Sequence, residues 1–278
     1  MLKSSSGAIR LNSSIPVSCL TALLLAACAS DGGNVQHTSI GRVEGRGAPA
    51  IVLQAGLGDD SSVWGKVAPG LARDHLVVAL DRPGHGSVAA TDAARDPCTI
   101  ATEQHRMLQE AGIAPPYLLV GHSIGGRYEF VYAKLFPQEV AGLVLLDATP
   151  PGHWQRVQAE APAAAAVVKT LKTVAFGSID KREFDDQDGC MASLDLAHPL
   201  TAPTTVLVPA QFRPEEQGAF RTMMENEREN WLALTGAASL QVVPHSTHYL
   251  QKEAPDVVIA AVRSLAATVP AAVGNGRP

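Results

Sequence analysis

The stretch "LLVGHSIGGRYEF", Leu118 to Phe130, changes character in its middle. It opens as an apolar run suited to a buried strand and closes as a pattern suited to a helix. Between the two stands Ser123, held between Gly121 and Gly125 in a G-x-S-x-G pattern. Placed between strand and helix, that pattern makes a strained turn whose tip pushes the serine hydroxyl out at a sheet rim. The glycines are needed because strand and helix approach so closely that a Cβ would clash. The turn also aims the backbone N–H of Ile124, at the new helix's N-terminus, toward the same space, where it suits a developing oxyanion. The plainer reading is a simple Gly/Ser strand-to-helix turn.

A serine hydroxyl is nearly inert at neutral pH, so the turn implies a base elsewhere in the chain. Candidates lie in "VVPHSTHYLQKEAPDVV", Val242 to Val258. His248 is preferred, because a base must reach back over the rim from a loop; His245 directly follows a strand and suits a packed or solvent-facing role. A second oxyanion donor is expected from "LQAGLGDDSSVW", Leu53 to Trp64, where Gly56 and Gly58 free the backbone and Leu57 N–H is the donor. A carboxylate must fix the base's tautomer. Asp147 ends the run "GLVLLD" on the rim of Ser123, while Glu215 and Glu216 follow the next strand in what reads as a helix's first turn. Asp147 is favoured, because a glutamate in a first helical turn is already explained by the helix dipole.

Outward from the elbow, short Val/Leu-rich runs alternate with amphipathic ones. Ala50–Gly56, His75–Asp81, Tyr117–Ser123, Gly142–Asp147, Thr204–Ala210 and Leu240–His245 read as strands covered on both faces. Ser61–Ala72, Thr99–Ala111, Ile124–Leu135, Glu215–Leu234 and Pro255–Ala267 read as helices. The alternation predicts one α/β domain with a mostly parallel sheet. Pro150 to Pro203 breaks it: Ala-rich and charged helical pieces, interrupted by Pro162, Gly177 and Gly189, are too long for a connection and predict a helical cap.

The 278 residues are 46% hydrophobic and 18% charged, a globular composition. A formal net charge of -5 without a basic run argues against nucleic acid as a partner. The histidine-rich spots around His122 and His245 lack metal-ligand spacing, so no metal and no organic cofactor is expected. At the N-terminus, Lys3 and Arg10 precede the apolar run "IPVSCLTALLLAAC", a secretory signal. With Cys19 in the signal and Cys28 at its end, Cys98 and Cys190 remain as an even pair in an oxidising compartment. They suggest one disulfide, with two separate buried thiols as the alternative.

Taken together, "QAGLG", "DRPGHG", "GHSIGG", "LVLLDATPP", the helical insertion and "STHY" resemble the α/β-hydrolase superfamily along the whole mature chain. The resemblance implies a mostly parallel eight-stranded sheet flanked by helices, with a helical cap inserted after strand six. It implies Ser123 as nucleophile, His248 as base, and the N–H groups of Leu57 and Ile124 as oxyanion hole. Two features depart from it: Gln54-Ala55-Gly56 stands where most members carry His-Gly, and "PAQFRPEEQ" lacks the aspartate usual after strand seven. "LAAC", Leu25 to Cys28, resembles the bacterial lipobox, which implies lipidation of Cys28. The expected organisation is a lipoprotein signal at 1–27, a tether at 28–34, hydrolase core at 35–149 and 204–270, cap at 150–203 and a tail at 271–278. The expected function is a serine hydrolase of the bacterial cell envelope, anchored to membrane by lipid, that cleaves a small carboxylic ester or similar acyl substrate. An acyltransferase or lyase using the same triad, or a catalytically dead binding protein, are the alternatives, and oligomeric state is not legible.

Overall fold

The computed structural model describes residues 35–269. The signal, Cys19, Cys28, the tether and the 271–278 tail therefore lie outside the described residues. Eight strands form a single sheet in the order β1-β2-β4-β3-β5-β6-β7-β8. They are β1 (Gln36–Thr38), β2 (Gly41–Gly45), β3 (Ala50–Gln54), β4 (Leu76–Leu80), β5 (Tyr117–His122), β6 (Val140–Leu146), β7 (Thr204–Pro209) and β8 (Leu240–Val243). Strand β1 runs antiparallel to β2 and β2 antiparallel to β4, while the pairs from β4 through β8 are parallel.

The parallel strands are apolar on both faces because both faces are covered. Val52, Val78, Leu119 and Leu143 pack into one core, and their neighbours Ile51, Leu53, Val77, Leu118 and Val144 into the other. Before the cap, the helices are α1 (Ala68–Leu71), α2 (Pro97–Glu110) and α3 (Ile124–Leu135). The cap region follows β6 and holds α4 (His153–Glu160), α5 (Pro162–Ala175) and α6 (Ser178–Asp185). Beyond β7 come α7 (Ala219–Arg228), α8 (Asn230–Thr235), α9 (Leu250–Glu253) and α10 (Pro255–Ala266). Phe130 and Val131 of α3 and Trp231 of α8 fill the first core; Leu71, Val258 and Val262 fill the second. Among the described residues no helix is long and apolar enough to cross a membrane.

Three local readings need correction. Strands β1 and β2 carry no apolar run, because an antiparallel edge pair is covered incompletely and tolerates Arg42 and Thr38. Gly41 is obligatory there: at φ 123, a Cβ would fall 2.3 Å from Ala79 O. The expected helix Ser61–Ala72 is a 3₁₀ turn (Ser61–Trp64) and the short α1, with Pro69 at the second helical position. The expected helix Glu215–Leu234 splits into a 3₁₀ turn, α7 and α8, with Gly218 at φ 72 entering α7.

Buried ion pairs and one covalent bond fasten the cap region to the core. Cys98, at the start of α2, is bonded to Cys190, which lies beyond α6. Glu183 of α6 is fully buried and receives Arg82 Nε at 3.0 Å and Nη2 at 2.9 Å. Burial alone would raise this carboxyl, but Arg82 and His85 outweigh it and hold it well below the usual carboxylate range. Arg127 of α3, also fully buried, donates to Gln187 O at 2.6 Å and to Asp188 Oδ1 at 3.0 Å. Because the bridge closes a segment of 92 residues, Cys190→Ser is expected to lower stability by about 2–4 kcal/mol. Urea unfolding measures it: the midpoint should drop in the variant, and an unchanged midpoint would mean the ion pairs alone hold the cap.

Candidate active site

The elbow sits where β5 meets α3. Ser123 has φ 55 and ψ -128, a left-handed conformation that a non-glycine residue adopts only when its surroundings enforce it. A Cβ on Gly121 would lie 2.4 Å from Gly126 Cα, so this glycine does permit the strand–helix approach. Gly125 answers to a different neighbour: its Cβ would lie 2.4 Å from Ala55 O and 2.5 Å from Gln54 O. The helix start is thus pressed against the exit of β3, the strand beside the elbow. That contact brings the oxyanion loop to Ser123, since a Cβ on Gly56 would lie 3.3 Å from Ser123 Cβ.

Backbone planarity then orients the two N–H groups. Gly56 O accepts Arg82 Nη2 at 2.8 Å, and Ala55 O accepts Arg82 Nη1 at 2.7 Å. In a trans peptide the carbonyl and the following N–H point opposite ways, so pinning Gly56 O on Arg82 turns Leu57 N–H away from it. Ser123 O likewise accepts Thr149 N at 3.0 Å and Gly126 N at 3.0 Å, which turns Ile124 N–H to the other side. Ile124 opens α3, so its N–H has no partner within the helix. Leu57, Ser123 and Ile124 border one cavity. Gln54, the departure in the oxyanion loop, belongs to this scaffold: it accepts Arg82 Nη1 at 3.1 Å and donates to Gln104 Oε1 at 3.0 Å.

At the opposite side of the elbow, His248 Nδ1 lies 2.8 Å from Asp147 Oδ2. Asp147 also has a positive φ, 40°, at the turn that ends β6. Glu216 engages the backbone N–H of Arg213 at 2.8 Å, as a capping residue does, and Glu215 is exposed; no hydrogen bond joins either to His248. His245 is exposed and has φ 56, so the chain reverses there before Ser246–His248. Ser123, Asp147 and His248 all line a cavity of about 220 Å³.

Two side chains with no motif to announce them hold this pair. His122, the variable elbow position, is buried, and its Nε2 lies 2.9 Å from His248 O. A carbonyl only accepts, so Nε2 carries the proton. Burial, followed by the nearby His248, pushes the His122 imidazole down to about 3, so it braces the His248 backbone as a neutral ring. Arg228 ends α7 with Nη2 3.2 Å from Asp147 Oδ1, Nη1 3.3 Å from Pro209 O, and its guanidinium 4.6 Å from the Phe212 ring centre. Burial alone would raise the Asp147 carboxyl, but His248 and Arg228 more than offset it, and the group lies below its ordinary value.

The cavity has a second lobe, also about 220 Å³, whose wall includes Leu57, Trp154, Val157, Phe176 and Phe184. Ser123, Thr149, His153 and Phe220 border both lobes. One lobe is thus apolar and lies under the cap helices beside the oxyanion loop. The other is more polar and lies beside His248 and Arg228.

A sheet of this order, with a serine elbow after β5 and helices inserted after β6, is the α/β-hydrolase fold. The family model of the alpha/beta hydrolase fold matches residues 49–166. The protein is 37% identical over 102 residues to the dihydrolipoyllysine-residue acetyltransferase component of an acetoin cleaving system from Pseudomonas putida, covering 37% of this chain and 27% of that one. It is 31% identical over 122 residues to a fluoroacetate dehalogenase from a Burkholderia species, covering 42% of this chain and 40% of that one. The chain therefore spans well under half the length of these curated relatives. A solved epoxide hydrolase, CorEH, shares the fold with a TM-score of 0.59 at 18% identity, over 84% of this chain and 98% of that one.

Arg228 holds the Asp147 carboxylate that contacts His248, and a charged hydrogen bond of this kind carries more than a neutral one. Arg228→Met should therefore lower kcat/KM on an aryl ester by about tenfold. Arg228→Lys should restore part of the loss. A methionine variant with full kcat/KM would reduce Arg228 to a packing residue.

Proposed function

We propose that this chain is an exported serine hydrolase that cleaves a carboxylic ester, or a similar acyl substrate, through Ser123, His248 and Asp147. The observation that carries the reading is the 2.8 Å contact between His248 Nδ1 and Asp147 Oδ2 on the cavity wall that also holds the strained Ser123. His248 Nε2 takes the proton from Ser123 Oγ as that oxygen attacks the ester carbonyl. The tetrahedral oxyanion accepts hydrogen bonds from Leu57 and Ile124 N–H. As the intermediate collapses, the bond to the leaving alkoxide breaks and the imidazolium gives it the proton. Water then repeats the sequence on the acyl-enzyme, releasing the acid and Ser123.

Serine at the elbow argues against the chemistry named for the dehalogenase and epoxide hydrolase relatives, which in this fold resembles a carboxylate-nucleophile mechanism. The "LAAC" lipobox supports lipidation at Cys28 and attachment to a bacterial envelope membrane. Arg82, Gln54 and His122 act through the groups they hold and are positioning residues.

Labelling with a fluorophosphonate probe, followed by turnover of aryl esters of increasing acyl length, tests the reading. Ser123→Ala should lose both signals while keeping its circular-dichroism spectrum; labelling that survives would remove Ser123 from the nucleophile's role. Asp147→Asn should lower kcat by on the order of 10³–10⁴, as loss of a triad acid can. Glu215→Gln should stay within several-fold of wild type, and the reverse pattern would move the acid to the segment after β7. Separately, Cys28→Ala should stop incorporation of a palmitate analogue and release the protein from membranes. Equal incorporation in both forms would defeat the anchor.

A further inference from the structure

The cavity holds a second imidazole–carboxylate pair that the ester mechanism leaves unused. His153 opens α4, the first helix after β6, and borders both lobes of the cavity together with Ser123. Its Nδ1 lies 2.5 Å from Oε2 of Glu227 in α7. Glu227 is 1% exposed, and its Oε1 has no hydrogen-bond partner among the described residues. Val157, Ala165 and Met223 form a small apolar cluster between α4, α5 and α7, and Arg127 and Arg156 lie near enough to Glu227 for their charges to act on one another. A carboxylate buried with one hydrogen-bond partner is costly, and it contributes little to stability compared with an apolar side chain of the same size. What it does accomplish is to fix the ring of His153 beside the nucleophile, much as Asp147 fixes His248.

The tautomer follows from the contact. An ionised carboxylate only accepts, so Nδ1 of His153 carries the hydrogen and donates it to Glu227. In the neutral ring, Nε2 then keeps its lone pair. With Nδ1 committed, Nε2 is the atom left for a substrate. Against a bound substrate, that lone pair is satisfied by a hydroxyl donor and left unpaired by a plain hydrocarbon.

Resting on the proposed ester hydrolysis, we infer that His153, oriented by Glu227, is a substrate-binding residue that accepts a hydrogen bond from a hydroxyl near the scissile carbonyl. The substrate class is then an ester of a hydroxy acid. Its carbonyl lies at Ser123, its hydroxyl at His153 Nε2, and its chain runs into the apolar lobe walled by Trp154, Val157 and Phe184. His153 takes no proton from the reaction; it selects and orients.

Aryl esters of butyric, 2-hydroxybutyric and 3-hydroxybutyric acid, compared by kcat/KM, provide the test, with fluorophosphonate labelling of Ser123 as the measure of an intact site. Wild type should prefer one hydroxy ester over butyrate by about tenfold to a hundredfold, the range expected when a buried acceptor gains or lacks its donor. His153→Phe should bring that ratio to about one, with fluorophosphonate labelling reporting how much intact site remains. Glu227→Gln keeps the shape but can donate to Nδ1, and should lower the ratio in the same direction. A wild-type ratio near one for both hydroxy esters overturns the inference, and so does a preference that persists in His153→Phe. Equal losses on all three esters in both variants would assign the pair a structural role and also overturn it. Absence of labelling and of turnover on every ester in wild type would instead defeat the esterase reading, and the hydroxyl inference with it.

Discussion

Everything at this site depends on how closely the start of α3 is pressed onto the exit of β3. Gly125 leaves no room for even one methyl group between the helix and the carbonyls of Gln54 and Ala55. That closeness is what forces Ser123 into a left-handed conformation, and the sheet on both sides is what sustains the strain. The same contact sets the Gly56–Leu57 loop against Ser123, so the proposed nucleophile and N–H donors are placed by one packing constraint rather than by separate ones. Mobility in this region would separate them; the fully buried β3 and β5 suppress it.

Charge, more than apolar contact, then fixes the parts that lie above the sheet. Arg82 joins the oxyanion loop to the cap: its guanidinium grips the Ala55 and Gly56 carbonyls on one side and Glu183 on the other. Such a pair offers little stability over a well-packed apolar substitute. Its geometry is directional, however, and direction is what an oxyanion donor needs. The cap therefore does more than cover the cavity, because its docking through Glu183 helps hold the peptide plane that presents Leu57 N–H. The end of α7 repeats the device in two consecutive residues, with Glu227 holding His153 and Arg228 holding Asp147.

Two lobes meeting at the nucleophile give the proposed chemistry a direction. Leu57 and Ile124 belong to the apolar lobe, and His248 to the more polar one. In the proposed ester cleavage the leaving oxygen must receive its proton from the base, which would put the leaving group in the lobe beside His248 and the acyl group in the lobe under the cap. Aromatic side chains in the acyl lobe supply the apolar area that orders a chain there, while a few polar groups at the junction set orientation.

By itself the sequence determined what local patterning can encode. Runs of Val and Leu marked the six parallel strands, the Gly-x-Ser-x-Gly context marked the elbow, and the lone stretch without strands marked the helical insertion. The candidate positions Ser123, His248, Leu57 and Ile124 were legible because each follows from the element that carries it. Strands β1 and β2 were not, because an edge pair lacks the apolar run that burial on both faces imposes. The choice between Asp147 and Glu215 leaned to Asp147 on the helix-dipole argument alone, since both stand where an acid could reach; the packed chain sets Asp147 at 2.8 Å from His248. Tertiary structure alone decided the charge network. Arg82 meets Glu183 across 101 positions, Arg228 meets Asp147 across 81, and His153 meets Glu227 across 74. No periodicity links residues so far apart. An arginine or glutamate in a helix reads as a solvated face until the fold removes the water, and only then does its partner become a physical necessity.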